Sequence, residues 1–211
     1  QDTTPITVEQ MIYHARAVVR ACHHCLVVCD MPFGSYQVSR EDGIRNAIRI
    51  IKETGAGAVK MEGGKEISDT VKGIVDAGIP VIGHLGLTPQ SIHKFGGYGL
   101  RAKEDTEAEK LIEDALALDA AGVSGITLEK VPAAVANKVT AMVKAATIGI
   151  GAGNGTDGQV LVYADALGMT SGFKPKFLRH FANVNKCMTE GVMEYIRCVK
   201  SESFPSEAES Y

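Results

Sequence analysis

Charged and imidazole side chains recur at the ends of short apolar segments of this sequence, each followed by a glycine or proline turn. Carboxylates in such places can hold a hard cation or accept a proton, and lysine or histidine can bind an acidic substrate. Unpaired charges in buried strands are costly, so their recurrence indicates a shared binding site. The candidate residues are Asp30, Lys60, Glu62, His84 and Glu129.

Each candidate, taken alone, has a simpler explanation as a helix cap or as one member of an ion pair. The carboxyl ends of parallel strands converge on one face of an α/β fold, however, so five such ends would gather these residues. Two carboxylates with no neighbouring Cys or His pair favour Mg²⁺ or a similar ion. A metal-polarised carbonyl beside a carboxylate base is suited to proton removal α to a ketone.

The segments that would position these residues alternate between two hydrophobic patterns. Short β-branched runs bounded by Gly or Pro predict strands at residues 25–30, 58–62, 80–86, 125–131 and 147–151, with a weaker one at 159–162. Amphipathic stretches predict helices at residues 8–22, 40–54, 67–77, 104–121, 133–144 and 181–200. Repeated β/α order implies a buried parallel sheet, either closed as a barrel or open and doubly wound.

Composition narrows the class of protein. The chain has 211 residues, of which 45% are hydrophobic and 22% charged, as expected for one globular domain. A net charge of −3 without a basic stripe argues against nucleic-acid binding, and no apolar run reaches the roughly 20 residues that span a bilayer. Five cysteines, an odd number, predict reduced thiols and a cytoplasmic protein.

Three further patterns carry weaker signals. The glycine-rich run at residues 149–155 could cradle a phosphate or dinucleotide, but its late position in the chain favours close packing at a strand end. Residues 95–99 predict a flexible loop that could act as a lid. Residues 22–25 have the spacing of half a zinc knuckle, and the absence of a second ligand pair disfavours structural zinc.

Seven strings resemble one family in both order and spacing. They are DMPF at 30–33, KMEGG at 60–64, GHLGLTPQS at 83–91, FGGY at 95–98, LEKVP at 128–132, GIGAGN at 149–154 and TDGQ at 156–159. Together they resemble ketopantoate hydroxymethyltransferase over residues 3 to about 176. The nine-residue string is the most specific of them.

This resemblance implies a (β/α)₈ TIM-type barrel that transfers a hydroxymethyl group from 5,10-methylenetetrahydrofolate to 3-methyl-2-oxobutanoate, giving 2-dehydropantoate for pantothenate and coenzyme A biosynthesis. It implies Asp30 and Glu62 as ligands of Mg²⁺ or another divalent ion. It implies that Asp30, Lys60 and His84 contact the oxo acid and that Glu129 removes the C3 proton. It also implies a homo-oligomer, commonly a decamer, with small-molecule substrates and neither nucleic-acid nor membrane partners.

The chain departs from the family pattern at its start. The pattern begins with two further strands and an Asp-Ser metal-binding pair, so we expect residues 1–180 to hold strands three to eight and residues 181–211 to form a C-terminal helix and tail. Either the protein is longer than this sequence, or a partner covers the gap. Two alternatives stay open: a related magnesium-dependent barrel acting on phosphoenolpyruvate or isocitrate, and a truncated, non-catalytic paralogue.

Overall fold

A six-stranded parallel sheet is the framework of the chain, in a computed structural model that describes residues 2–172 and 174–211. The strands pair in chain order from the first to the sixth, and every pairing is parallel. A doubly wound sheet reverses its order at a switch point, whereas a barrel wall does not. The strands are β1 (Val28–Asp30), β2 (Ala58–Glu62), β3 (Val81–Gly86), β4 (Gly125–Glu129), β5 (Ala146–Ile150) and β6 (Gly158–Gln159).

Helices occupy the connections, and the six predicted ones are present with ends within three residues of the prediction. Two short helices, α4 and α7, were not predicted, and neither were the 3₁₀ turns Lys65–Ile67, Pro89–Ser91 and Glu207–Glu209. The helices are α1 (Val8–Ala21), α2 (Arg40–Thr54), α3 (Ser68–Asp76), α4 (Ile92–Phe95), α5 (Asp105–Ala121), α6 (Ala133–Met142), α7 (Tyr163–Ala166) and α8 (Val184–Lys200).

Three predicted strands are shorter by two or more residues than the apolar runs that suggested them. The predicted strand at 25–30 begins only at Val28, and the weak one at 159–162 is reduced to Gly158–Gln159. The predicted strand at 125–131 ends at Glu129, because Lys130 has a φ of 47° and turns the backbone out of the sheet. Apolar residues beyond a strand end thus belong to turns.

Local signals in the sequence account for the helix ends. The Thr7 side chain accepts the Gln10 amide hydrogen, and the Gln10 side chain accepts the Thr7 amide hydrogen, which forms a capping box for α1. Ser39 caps α2 through the Asp42 amide. Gly55 ends the same helix with a φ of 77°, a conformation that glycine adopts without strain.

Helix α5 lies very close to β3, and this contact fixes the centre of the sheet. A Cβ added to Gly83 would lie 2.8 Å from Leu118 Cδ1, so a larger residue here would force the Leu118 side chain to shift. Leu118 is fully buried together with Ile126 and Leu128 of β4. The adjacent residue of β3, His84, is therefore held on a rigid strand.

The chain divides into two compact units, Gln1–Val160 and Leu161–Tyr211. The first contains the whole sheet and the buried apolar core of the described residues. The predicted extents of 1–180 for a barrel and 181–211 for a tail stay predictions. In the described part of the chain no helix is both long enough and apolar enough to cross a membrane.

Candidate active site at the carboxyl ends of the strands

The five predicted site residues line one cavity of about 600 Å³ at the carboxyl ends of β1 to β4. The strand register explains this, because Asp30 pairs with Lys60 and Glu62 pairs with His84. Glu129 pairs with Gly86, two residues beyond His84. The sequence-based expectation that these strand ends converge agrees with the structure.

Lysine and aspartate form the first charged pair of the cavity. The Lys60 ammonium contacts Asp30 Oδ1, and Lys60 Nζ lies 3.4 Å from His84 Nδ1. Asp30 Oδ1 is buried, but this contact does not have hydrogen-bond geometry, so the oxygen has no hydrogen-bond partner among the described residues. The Lys60 ammonium offsets the charge of this oxygen, and the Asp30 side chain is 49% exposed, so the carboxylate has room for a further donor or a cation.

His84 lies between the other two carboxylates. Its side chain is only 4% exposed, with Nδ1 3.7 Å from Glu62 Oε1 and Nε2 3.2 Å from Glu129 Oε2. The Nε2 contact has the distance of a hydrogen bond without its alignment, so this buried nitrogen also lacks a hydrogen-bond partner in the described structure. Glu129 and His84 therefore present polar atoms to the cavity that a small ligand could engage.

Glu62 is held as an anion. Burial raises the pKa of its carboxyl, but the adjacent His84 side chain, the Lys60 charge and the Gln90 backbone amide outweigh burial, so the pKa is lowered overall. Glu62 Oε2 accepts the backbone amide hydrogen of Gln90 at 2.8 Å. With its side chain 7% exposed, Glu62 offers a fixed negative charge near His84.

Two carboxylates could hold a divalent cation, namely Asp30 and Glu62. Residues 2–172 and 174–211 contain no group of three or more His, Cys, Asp or Glu side chains arranged to hold a metal ion. The unsatisfied Asp30 oxygen and the anionic Glu62 fit a hard ion that takes its remaining ligands from substrate oxygens and water, as Mg²⁺ commonly does.

Two residues of the site were missed by sequence reasoning. Tyr36 and Gln90 both hydrogen-bond to Glu62, Tyr36 through the backbone and Gln90 through the carboxylate. Gln90 lies inside the nine-residue family string, which singled out the segment without assigning this residue a role. Tyr36 lies in no recognised pattern, because its contact depends on a turn after Pro32.

The weaker patterns have structural explanations. In the glycine-rich run, a Cβ on Gly153 would lie 2.5 Å from Ala133 Cβ, and one on Gly155 would lie 2.0 Å from Asn137 Oδ1, which supports close packing against α6. Phe95 ends α4, and the Arg101 guanidinium lies 3.9 Å from the centre of its ring. A lid role for residues 95–99 stays a prediction.

A family model described as Ketopantoate hydroxymethyltransferase matches residues 1–207. The chain belongs to this family. The 3-methyl-2-oxobutanoate hydroxymethyltransferase of Flavobacterium johnsoniae is 56% identical over 211 residues, covering 100% of this chain and 78% of the relative. The protein of the same name from Bacteroides fragilis is 56% identical over 209 residues, covering 99% and 77%. The predicted family, and with it the class of hydroxymethyltransferase enzymes, is confirmed.

Solved structures of low sequence identity show the same fold. A phosphonopyruvate hydrolase in complex with oxalate and Mg²⁺ has a TM-score of 0.56 and 12% identity, covering 98% of this chain and 74% of that one. A putative phosphonomutase from Burkholderia cenocepacia has a TM-score of 0.54 and 16% identity, covering 68% and 62%. The fold is therefore a parallel α/β half-barrel of the kind found in TIM-barrel relatives.

Proposed function

We propose that the chain converts 3-methyl-2-oxobutanoate to 2-dehydropantoate with 5,10-methylenetetrahydrofolate as the one-carbon donor. The observation that carries the proposal is the cavity in which Glu129 adjoins His84 while Lys60 adjoins Asp30. Water supplies the hydroxyl oxygen, and tetrahydrofolate leaves as the second product. The C3 proton is lost before the new carbon–carbon bond forms.

Each side chain has a distinct part in this chemistry. Glu129 accepts the C3 proton, and His84 beside it orients the carboxylate through Nε2. Lys60 offsets the negative charge of the oxo-acid carboxylate, and Asp30 holds the Lys60 ammonium in place. Together these residues bind the oxo acid with its C3 hydrogen toward the base.

A divalent cation, Mg²⁺ in the first instance, would be held by Asp30 and Glu62. When bound, it would polarise the 2-oxo group and stabilise the enolate as a Lewis acid. Support comes from the unsatisfied Asp30 oxygen, the anionic Glu62, and a protein of the same fold whose structure contains oxalate, a small oxo-anion, with Mg²⁺.

We further propose that the six strands correspond to strands three to eight of the eight-stranded family barrel, with residues 1–180 as the barrel portion and 181–211 as a C-terminal helix and tail. In the described residues β1 pairs only with β2 and β6 only with β5, so both outer edges have capacity for more strands. Two upstream strands would cover the β1 edge, which is otherwise an aggregation hazard.

The proposed assembly is a homo-oligomer, with a decamer as the expected size. The exposed apolar side chains of α8 support self-association, because water-exposed apolar stripes commonly mark interfaces. All five cysteines are free thiols, which supports a reducing compartment such as the cytoplasm. Sedimentation velocity at several concentrations tests the assembly, and a concentration-independent monomer would rule it out.

The test of function is hydrogen–deuterium exchange at C3 of 3-methyl-2-oxobutanoate, followed by proton NMR with the chain and Mg²⁺ but without folate. Exchange that requires both protein and cation is expected. Its absence, even when two upstream strands are supplied, would reject the activity. An oxo acid with no C3 hydrogen, 3,3-dimethyl-2-oxobutanoate, should compete for the site without itself exchanging.

The same cavity chemistry could serve cleavage of a polycarboxylic acid such as isocitrate, since the solved neighbours include a putative lyase/mutase from Burkholderia cenocepacia with a TM-score of 0.51. That neighbour is only 14% identical, so the likeness concerns the fold alone. Release of glyoxylate from isocitrate by the chain, without C3 exchange of the branched acid, would favour this alternative.

A further inference from the structure

The hydrogen-bond ladder between β1 and β2 is interrupted just below the cavity. Regular pairing runs through Asp30 and Lys60, and the Met31 amide still donates to the Lys60 carbonyl at 2.9 Å. In a parallel ladder the next bond would run from the Glu62 amide to the Met31 carbonyl. Both of these backbone groups instead bond to side chains.

Four hydrogen bonds join Met31, Tyr36, Glu62 and Gln90 at this point, and we call this network the strand-end ring. Three of the bonds close the ring through Glu62, Tyr36 and Gln90, and the fourth connects it to Met31. The Glu62 amide donates to the Tyr36 hydroxyl at 3.0 Å, and this hydroxyl donates to Gln90 Oε1 at 3.0 Å. Gln90 Nε2 donates to the Met31 carbonyl at 2.9 Å. The backbone amide of Gln90 then closes the ring by donating to Glu62 Oε2 at 2.8 Å.

The ring is internally consistent as a donor and acceptor network. The Met31 carbonyl can only accept, so Gln90 must turn its NH₂ group toward it and its oxygen toward the Tyr36 hydroxyl. That hydroxyl also lies 3.0 Å from the Glu62 carbonyl, but its single proton serves one acceptor at a time. At 1% exposure Tyr36 has little access to water as a substitute partner.

Glu62 is constrained by this ring from two directions. The Gln90 amide occupies Oε2, which leaves Oε1 as the oxygen that faces His84. The Tyr36 hydroxyl accepts the Glu62 backbone amide hydrogen, which has no ladder bond to β1, while Glu62 still pairs with His84 of β3. Gln90 lines the cavity, whereas Tyr36 is absent from its wall and acts through the other members.

We propose that Tyr36 and Gln90 are positioning residues that replace the missing ladder bond and so fix the Glu62 carboxylate opposite Asp30 for catalysis. This inference rests on the proposed function. A buried polar group that loses its hydrogen-bond partner costs free energy. Removing one hydrogen bond of the ring should therefore allow the Glu62 carboxylate to move. Tyr36→Phe and Gln90→Met keep the approximate shape of each side chain while removing its polar atoms.

Thr54 provides a matched control outside the cavity. Its hydroxyl is also buried, donates to the Ile50 carbonyl at 2.6 Å and accepts the Ala56 amide hydrogen at 2.9 Å. Thr54→Val therefore removes a buried hydroxyl with the same donor and acceptor duties. Thr54 does not line the strand-end cavity, so its loss tests a structural effect alone.

The experiment compares Tyr36→Phe, Gln90→Met and Thr54→Val in two assays. We expect each ring variant to lower the C3 exchange rate at saturating oxo acid by about 10-fold and to weaken Mn²⁺ binding, measured by electron paramagnetic resonance, by roughly 5-fold or more. Thr54→Val should change either quantity less than about 2-fold, although it should lower the thermal stability about as much as the ring variants do. The double ring variant should be little worse than the worse single variant, because both break one network.

The outcomes separate the two proposals. Ring variants that behave like Thr54→Val in both assays would overturn the positioning role while leaving the proposed function intact. If wild type binds Mn²⁺ but catalyses no exchange even with the two upstream strands supplied, the function is rejected, and weakened Mn²⁺ binding in the ring variants would still uphold the ring. If wild type has neither property with those strands supplied, both proposals are overturned.

Discussion

Helices α2 and α8 are both strongly amphipathic, but only the apolar face of α2 is buried. Helix α2 buries Ala47 and Ile50 completely against the sheet. Helix α8, in the second compact unit, has no buried residue among those described, and its large apolar side chains face solvent. These exposed side chains, the α8 stripe, are Met188, Val192, Met193, Tyr195, Ile196 and Val199.

An apolar stripe on a helix therefore predicts a contact without identifying the partner. The first unit provides its own partner, a sheet whose strands are buried on the face toward α2. Within the second unit no described apolar side chain is buried. Burial of the α8 stripe, and the free energy that it would contribute, therefore requires contact with another surface. Variants in each unit should therefore affect different measurements.

The largest expected effect is on chemistry in the first unit. Glu129→Gln keeps the shape of the side chain but removes the base, so C3 exchange should fall by roughly 100-fold or more. Oxo-acid binding, measured by calorimetry, should change little. Glu113→Gln, an exposed change on α5, is the matched control. Retained exchange in Glu129→Gln would remove this residue from the mechanism.

The next effect concerns the core of the first unit. Leu118 is fully buried against Gly83, so Leu118→Ala should lower the free energy of unfolding by about 2–5 kcal/mol in urea titration. Met193→Ala on the exposed stripe should lower it by less than about 0.5 kcal/mol. Equal losses at the two sites would contradict the contrast between the units.

Substitutions in the α8 stripe should weaken the self-association of the chain. Ile196→Ser is expected to raise the subunit dissociation constant by about 10-fold, because it removes apolar surface from the proposed interface. Analytical ultracentrifugation measures this change directly. Lys186→Ser, on the same helix in an exposed ion pair with Glu190, is the control and should leave association nearly unchanged. Indistinguishable association of the two variants would argue that the stripe contacts no second copy.

Acid titration tests the charged site of the first unit. The pKa of Glu62 is lowered from its ordinary value of 4.5, so its carboxylate stabilises the folded state above about pH 4.5. This contribution is lost as the pH falls through the lowered pKa. With metal removed by a chelator, the stability difference between wild type and Glu62→Gln should therefore shrink below about pH 4.5. A constant difference down to pH 2 would contradict the shift.

The smallest expected effect is in thiol reactivity. Burial, and then the nearby Asp30 charge, raises the pKa of the Cys29 thiol to about 11, so it stays protonated and unreactive near pH 8. Cys25 in the first unit and Cys187 in the second are exposed and should react with a disulfide reagent. Mass spectrometry of peptides after brief labelling distinguishes them, and rapid modification of Cys29 would show that its strand opens.

Local sequence information was sufficient for most secondary structure. Residues 58–62 and 40–54 were predicted with the bounds that β2 and α2 have, because alternation, capping and a terminal glycine are local properties. The run at 25–30 was overextended, since apolar residues before a strand resemble the strand itself. Family strings, which are also local, identified the family that the comparisons confirm.

Local patterns were enough to predict the alternating elements, the family and the polar residues at the strand ends, because parallel strands bring their carboxyl ends to one face of the fold. Only the tertiary structure decided the sequential strand order and which apolar stripe is covered. It alone also joined Tyr36 to Gln90, 54 residues apart, through a side chain that replaces a backbone bond. Such a contact depends on where two strands stop pairing, and no local pattern records that point.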